Sequence, residues 1–226
     1  MGLTSTVGKQ LAPRVAGLAP GLTASFVREA LHRAIVGVGP LPPAAEAADK
    51  QLAEQKGDVD KAVSEVIENH VRYAGAQGFV TTIGGLVTAA LTIPANITGL
   101  ALIQSRMIAG IVHLRGYDLD DPRVRNAILV TMLGEEAVTS MVKKKKIPAP
   151  PMALATAPVH DAGSDIVISA EVASDLITKV AGKRLAITIG RRVPVVGGLV
   201  GMGADGYLTW KIGRYAEREF LPRAAR

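Results

Sequence analysis

Apolar residues recur at helical spacing in several stretches of the chain, and glycine or proline separates each stretch from the next. The helices predicted from this pattern are 22–35, 58–76, 122–142, 166–181 and 205–220. Asp58 and Asp121 stand where an N-cap is expected, each just before a predicted helix. Two short runs, 185–189 and 193–196, favour strand, and Pro194 disrupts the second. The pattern therefore predicts an all-α fold, a compact multi-helix bundle.

The central segment differs from the others because no charged residue occurs between Tyr73 and Ser105. Pro94 is predicted to divide it into a Gly/Thr-rich helical hairpin, whose second helix continues to about Leu114. Three arrangements of residues 78–103 are compatible with this composition. The hairpin is buried in the core, lies at the membrane interface or re-enters it, or spans a bilayer.

Four consecutive lysines, Lys143 to Lys146, precede a run rich in proline. Because like charges repel and the prolines disfavour helix, residues 143–164 are predicted to form a linker. The chain is accordingly divided into a variable N-terminal arm and helix, residues 1–50, and a helical domain, residues 51–226, which the linker interrupts.

The positive charge is concentrated in the last third of the chain. Residues 1–142 hold 12 Lys/Arg and 13 Asp/Glu, whereas residues 143–226 hold 14 and 7. Such a basic segment attracts phosphate on lipid or nucleic acid. No nucleic-acid-binding motif accompanies it, so nucleic acid is not the expected partner. We predict that Lys143, Lys144, Lys145, Lys146, Arg191 and Arg192 contact anionic lipid.

The composition offers little for catalysis. The chain has no cysteine, and its four histidines do not follow metal-binding spacing. No serine-hydrolase elbow or phosphate-binding loop is present. The sequence therefore predicts no catalytic residue, no cofactor and no metal ligand. The alternative is a hydrolase whose site is assembled from residues distant in the sequence, for which His113, Asp118 and Asp121 are the candidates.

Arg106 follows the uncharged segment and stands two residues after Gln104. A buried guanidinium needs a carboxylate or several carbonyl partners, because an unpaired charge is costly away from water. Asp205, which lies among glycines, is the predicted partner. The alternative is that the long side chain extends to the surface.

Five short motifs combine glycine or proline with a few polar residues. They are Gly78-Phe-Val-Thr-Thr-Ile-Gly84-Gly85; Pro94-Ala-Asn; Gln104-Ser-Arg106-Met-Ile-Ala-Gly110; Gly116-Tyr117-Asp118 with Asp121-Pro122; and Ile189-Gly-Arg191-Arg192-Val-Pro194-Val-Val-Gly-Gly198 with Asp205 and Ile212-Gly-Arg-Tyr-Ala216. Together they resemble the EcsC protein family over roughly residues 60–142 and 165–221. The resemblance implies a bacterial protein linked to transport, secretion or envelope processes. It implies no defined activity and no catalytic residue.

The resulting hypothesis is a non-enzymatic, cytoplasmic protein that associates peripherally with the membrane as an accessory or scaffold. Its expected partners are an anionic membrane surface or a membrane-protein complex, and a homo-oligomer is a further expectation. A soluble lipid-binding or oligomeric shell module is the other alternative to the scaffold, beside the hydrolase.

Overall fold

A computed structural model describes residues 20–75, 95–190 and 197–223, with the side chains of 24–74, 99–178 and 206–223. In these ranges the chain forms nine α-helices and no strand, which confirms the predicted helical bundle. The helices are α1 (Pro20–Val36), α2 (Ala44–Glu54), α3 (Val59–Gly75), α4 (Ala95–Leu114), α5 (Pro122–Thr131), α6 (Glu135–Lys143), α7 (Pro151–Ala155), α8 (Ala162–Gly190) and α9 (Gly197–Glu219).

Helix α4 is the centre of the bundle. Every residue from Ala101 to Val112 is buried, so α4 is covered on all sides, as expected for a helix without a polar face. Helices α1, α2, α3 and α9 pack around it, and α9 packs most extensively on α3. The helices approach closely where a glycine removes a side chain. A Cβ on Gly213 would lie 2.9 Å from Cγ2 of Ile67 and 3.1 Å from Sδ of Met107.

The contacts of α3 fix the directions of its neighbours. Ile67 meets Gly213 of α9, and one turn later Val71 lies 3.7 Å from a Cβ placed on Gly206. Helix α9 therefore runs opposite to α3. Helix α4 does the same, since Gly110 lies beside Val66, and Arg115, directly after α4, pairs with Asp60 near the start of α3. The last turn of α3 and the first turns of α4 and α9 thus share one end of the bundle, called here the Gly75 end.

Two predicted helix starts are confirmed. The carboxylate of Asp58 accepts a hydrogen bond from the backbone N–H of Lys61 at 3.0 Å, ahead of α3. The carboxylate of Asp121 accepts from the N–H of Arg123 at 2.8 Å, with Pro122 as the first residue of α5. Both side chains satisfy backbone donors that a helix start leaves without partners.

Three features differ from the sequence prediction. Helix α2 was not predicted, because its buried side chains are only Ala44 and Ala48. The single helix predicted at 122–142 is wrong, since Gly134 has a φ of 84° and divides it into α5 and α6. The prolines after Lys146 do not exclude helix either: Pro151 begins α7, which packs on α5 with Ala155 buried.

The central uncharged segment falls only partly within the described residues. Residues 76–94 lie outside them, so the predicted first arm of the hairpin is not described. In the second arm, Ala101, Leu102 and Ile103 are buried in the bundle. Residues 185–189, for which strand was considered, belong to α8.

Candidate functional site

The predicted site residues fall in three described places. Gln104 and Arg106 lie on α4, four residues lie in the loop before α5 (Gly116, Tyr117, Asp118 and Asp121), and the lysines lie at the end of α6. The residues outside the description are Gly84, Gly85, Pro94, Arg191, Arg192 and Pro194. Gly198 and Asp205 lie in α9, in the part whose side chains are not described. The Arg106–Asp205 ion pair therefore stays a prediction.

Arg106 is buried inside the bundle and does not extend into solvent. The residue is 7% exposed, and its Nη1 donates to the carbonyl oxygen of Ala34 at 3.4 Å, in the last turn of α1. This long contact is the one hydrogen bond of the guanidinium among the described side chains. Burial lowers the pKa of Arg106, while the charges of Tyr73 and Glu46 oppose that change. The site therefore contains a buried cation with few partners.

His70 lies on α3 close to this cation. Its Nδ1 is 2.7 Å from the carbonyl oxygen of Val66, an acceptor, so Nδ1 carries the proton and Nε2 carries a lone pair. Nε2 is fully buried and has no hydrogen-bond partner among the described residues. Burial and, to a smaller extent, the charge of Arg106 lower the pKa of His70 to about 4, against the hydrogen bond to Val66, which raises it. The ring is therefore neutral at pH 7.

Two more buried polar atoms lie on the helices that face His70. Oε1 of Gln104 on α4 and Oγ1 of Thr209 on α9 have no partner, although both residues are almost completely enclosed. Each lies about one turn from the Ile67–Met107–Gly213 contact, on its Gly75 side. Since buried polar groups normally have partners, this layer can accept water or a small polar ligand.

The Gly116-Tyr117 motif holds the segment that follows α9. The hydroxyl of Tyr117 donates to the carbonyl oxygen of Leu221 at 3.0 Å, and the N–H of Arg223 donates to the carbonyl oxygen of Arg115 at 2.9 Å. Gly116 has a φ of 82°, and a Cβ there would lie 3.3 Å from the carbonyl oxygen of Arg223. These motif residues therefore act in packing.

The residues considered for a hydrolase are engaged separately. Nε2 of His113 contacts a carboxylate oxygen of Asp49 at 2.8 Å. Asp118 accepts from the N–H of Asp120 at 2.8 Å, and Asp121 caps α5. The hydrogen bond from Arg123 lowers the pKa of Asp121 despite partial burial. The acids stabilise the loop and the helix start, and no hydrogen bond joins them to His113 among the described residues.

Exposed aromatic residues lie near the Gly75 end. The rings of Tyr207 and Trp210 stack with centroids 6.1 Å apart, and these residues are 60% and 46% exposed. Leu208 is also exposed, and so is Tyr73 in the last turn of α3. Because Val71 lies against Gly206, Tyr73 and Tyr207 emerge at the same end. We call these four residues (Tyr73, Tyr207, Leu208 and Trp210) the aromatic surface.

The lysines at the end of α6 are all exposed. Nζ of Lys146 lies 3.7 Å from a carboxylate oxygen of Glu171, and the other three have no ion-pair partner among the described side chains. Helix α6 also contacts α9, where Nζ of Lys211 pairs with Glu136 at 2.9 Å. Since Lys211 follows Trp210, this ion pair places the first turn of α6, which carries Glu135 and Glu136, near the aromatic surface.

A fourth polar cluster was not predicted. Asp165 in the first turn of α8 accepts from Nδ2 of Asn126 at 2.7 Å, and Nε2 of His160 lies 2.9 Å from the same oxygen. Nη2 of Arg28 donates to the backbone oxygen of Asp165 at 2.7 Å and to Asn126 at 3.1 Å. Burial would raise the pKa of Asp165, but these partners together lower it. The cluster joins α1, α5 and α8, and no sequence spacing indicates it.

The sequence profile of the EcsC protein family matches residues 43–224. The chain belongs to the EcsC family. The match also includes the Lys/Pro-rich segment and residues 43–50, which lay outside the range predicted from the motifs. No curated protein matches the chain. No solved structure matches it either.

The EcsC match covers most of the features described above. His70, Arg106, the Gly116-Tyr117 motif and the aromatic surface all lie within it, whereas α1 lies before it. In the described parts of this EcsC-family chain, no helix has both the length and the apolar character needed to cross a bilayer. The same parts contain no group of three or more acidic or histidine side chains placed to hold a metal ion.

Proposed function

We propose that this EcsC-family protein attaches peripherally to anionic membranes and serves there as a non-enzymatic accessory or scaffold of a membrane complex. The aromatic surface would enter the headgroup region, and the lysines of α6 would lie over lipid phosphates. The observation that carries the proposal is the stacked, exposed pair of Tyr207 and Trp210.

Aromatic side chains favour the interface of a membrane because one edge is apolar and the other is polar. Only 4% of the chain is aromatic, yet three such residues are exposed within the aromatic surface. Exposed apolar groups that cluster in this way are typical of interaction surfaces. Residues 76–94, which follow the last residue of α3 in the sequence, carry no charge.

Electrostatic attraction supports attachment to an anionic surface. Lys143, Lys144 and Lys145 have no carboxylate partner among the described side chains, so their charges are available to anionic headgroups. A basic residue near such a surface contributes about 1 kcal/mol, and added salt weakens the attraction. Three lysines therefore account for roughly a hundredfold in binding.

Vesicle co-sedimentation tests the proposal. We expect the protein to bind phosphatidylglycerol vesicles at low salt and to bind phosphatidylcholine vesicles weakly. Replacing Lys143, Lys144 and Lys145 by glutamine should weaken binding by roughly a hundredfold. The double variant Tyr207→Ser/Trp210→Ser should also bind weakly. The matched control is Val159→Ser/Ile166→Ser, which removes exposed apolar residues elsewhere (76% and 72% exposed) and should bind normally.

The fluorescence of Trp210 gives a second test, because it is the only tryptophan in the chain. Its emission should shift to shorter wavelength when anionic vesicles are added, since the indole would leave water. An unchanged spectrum together with full binding by the serine double variant would contradict this orientation. Failure to bind anionic vesicles at low salt would contradict membrane attachment itself.

A further inference from the structure

We propose that Arg106 and His70 form a binding site for an oxyanion of phosphate size, either a free phosphate group or the phosphate of a lipid headgroup. The site lies inside the bundle toward the Gly75 end, between α1, α3 and α4. It is separate from the exposed lysines and does not depend on attachment to a membrane.

The first argument is the incomplete pairing of Arg106. A guanidinium has five N–H donors, and in the described structure one of them makes a single hydrogen bond of 3.4 Å to Ala34. The residue is nevertheless 7% exposed. A cation removed from water needs a compensating anion, and no carboxylate pairs with Arg106 among the described side chains. Phosphate oxygens match the fork of N–H groups in a guanidinium.

Comparison with Arg115, the residue directly after α4, shows what is unusual about Arg106. Arg115 is buried to a similar extent, at 8% exposed, but its Nη1 pairs with Asp60 at 2.8 Å. Nε of Arg115 is buried without a hydrogen-bond partner among the described residues, but its charge is compensated by Asp60. Arg106 has no such carboxylate partner among the described side chains.

His70 supplies the second group. Its Nε2 is buried, carries a lone pair and has no partner, so it can accept a proton and then donate to an anion. In the absence of an anion, the charge of Arg106 opposes that protonation. A bound oxyanion would instead favour the protonated form of His70. Tyr73, whose ring meets His70 edge to face at 5.8 Å, is half-exposed and connects the site to the surface.

Thermal unfolding in inorganic phosphate, with sodium chloride at equal ionic strength as the reference, tests the site. A ligand that binds only the folded state raises Tm. We expect phosphate to raise the Tm of the wild type and of Arg115→Lys equally. The Tm of Arg106→Lys should not rise in phosphate, because a lysine lacks the planar set of N–H donors with which a guanidinium binds two phosphate oxygens. An equal rise for Arg106→Lys, or none for the wild type, would overturn the proposal.

NMR titration of His70 needs no substitution at Arg106 and covers the case in which that variant does not fold. The resonance is assigned by its loss in His70→Gln. The pKa of His70 should be higher in phosphate than in chloride, and identical titrations would overturn the proposal. A soluble short-chain phosphatidic acid is the second probe, and a larger shift with it than with inorganic phosphate would identify a lipid headgroup.

The proposal of membrane attachment and the proposal of an oxyanion site can each be refuted without the other. Trp210→Ser should lose vesicle binding and keep the response of Tm to phosphate. If Asp205 already neutralises Arg106, as the sequence predicts, phosphate will leave Tm and the His70 titration unchanged, and the oxyanion site is refuted. Binding to anionic vesicles would be unaffected by that result.

Discussion

The ring of Tyr117 meets the ring of Phe220 edge to face, with centroids 5.5 Å apart and an angle of 78° between the planes. The guanidinium of Arg223 lies over the Tyr117 ring, 5.1 Å from its centroid. Phe220 is fully buried, so this contact fixes the end of α9 against the loop before α5. The segment after α9 is therefore part of the packed structure.

Substitution of Tyr117 separates the contribution of its ring from that of its hydroxyl. Tyr117→Phe removes the hydrogen bond to Leu221 and should lower the free energy of unfolding by about 1 kcal/mol. Tyr117→Ala also removes the contact with Phe220 and should cost about 3–5 kcal/mol. Urea unfolding measures both. Equal losses for the two variants would show that the ring contact contributes little.

Gly116→Ala should destabilise the protein for two reasons, the positive φ of 82° and the 3.3 Å approach to Arg223. Gly57→Ala is the matched control, since Gly57 has a φ of 84° and no atom within 4 Å of an added Cβ. The control should show the backbone cost alone, about 1–2 kcal/mol. A loss for Gly116→Ala no greater than for the control would mean that the segment after α9 moves aside freely.

Gly213→Ala tests the close approach of α3, α4 and α9. The added Cβ would lie 2.9 Å from Ile67, so overpacking should cost about 1–3 kcal/mol. Gly206→Ala on the same helix meets Val71 at an ordinary 3.7 Å and should be neutral or stabilising, because alanine favours helix. Thermal unfolding of the two variants gives the comparison. A stabilised Gly213→Ala would contradict the packing described here.

His70 should make stability depend on pH. The pKa of His70 is about 4 in the folded protein and 6.5 as the ordinary value, so between these pH values the unfolded chain binds the proton and the folded protein does not. The contribution of His70 to the free energy of unfolding is therefore complete above pH 6.5. As the pH falls toward 4, the free energy of unfolding decreases by as much as about 3 kcal/mol. His70→Phe should flatten the curve in this interval in chloride buffer. Parallel curves for the wild type and His70→Phe would contradict a buried, neutral histidine.

The sequence predicts most of the helices because their signals are local. The stripe of α1, the cap at Asp58 and the Asp121-Pro122 start of α5 each lie within a few residues of the structure they determine. Helix α2 was missed because alanine favours helix without marking a buried face. The break at Gly134 was missed because a glycine inside a helical pattern is also compatible with continued helix.

The site was less predictable than the helices. Two positions were expected for the side chain of Arg106, one buried and one extended to the surface. The run of uncharged residues before it supported burial. The role of His70 was not predicted, because its neighbour Arg106 is 36 positions away and only the antiparallel packing of α3 and α4 brings them close. The Arg28–Asn126–Asp165 cluster was missed for the same reason, since its members come from three helices.

The ion pair between Arg28 and Asp165 affects which residues an expressed fragment of the protein should include. The family match begins at residue 43, after α1 has ended. Yet α1 covers both α4 and α8, and Val27, Ala30 and Leu31 are buried in the common core. A fragment trimmed to residues 43–224 would expose this apolar surface and leave Asp165 without its arginine. We expect it to aggregate, whereas a fragment that begins at Pro20 should unfold cooperatively, so the shared family region is smaller than the unit that folds.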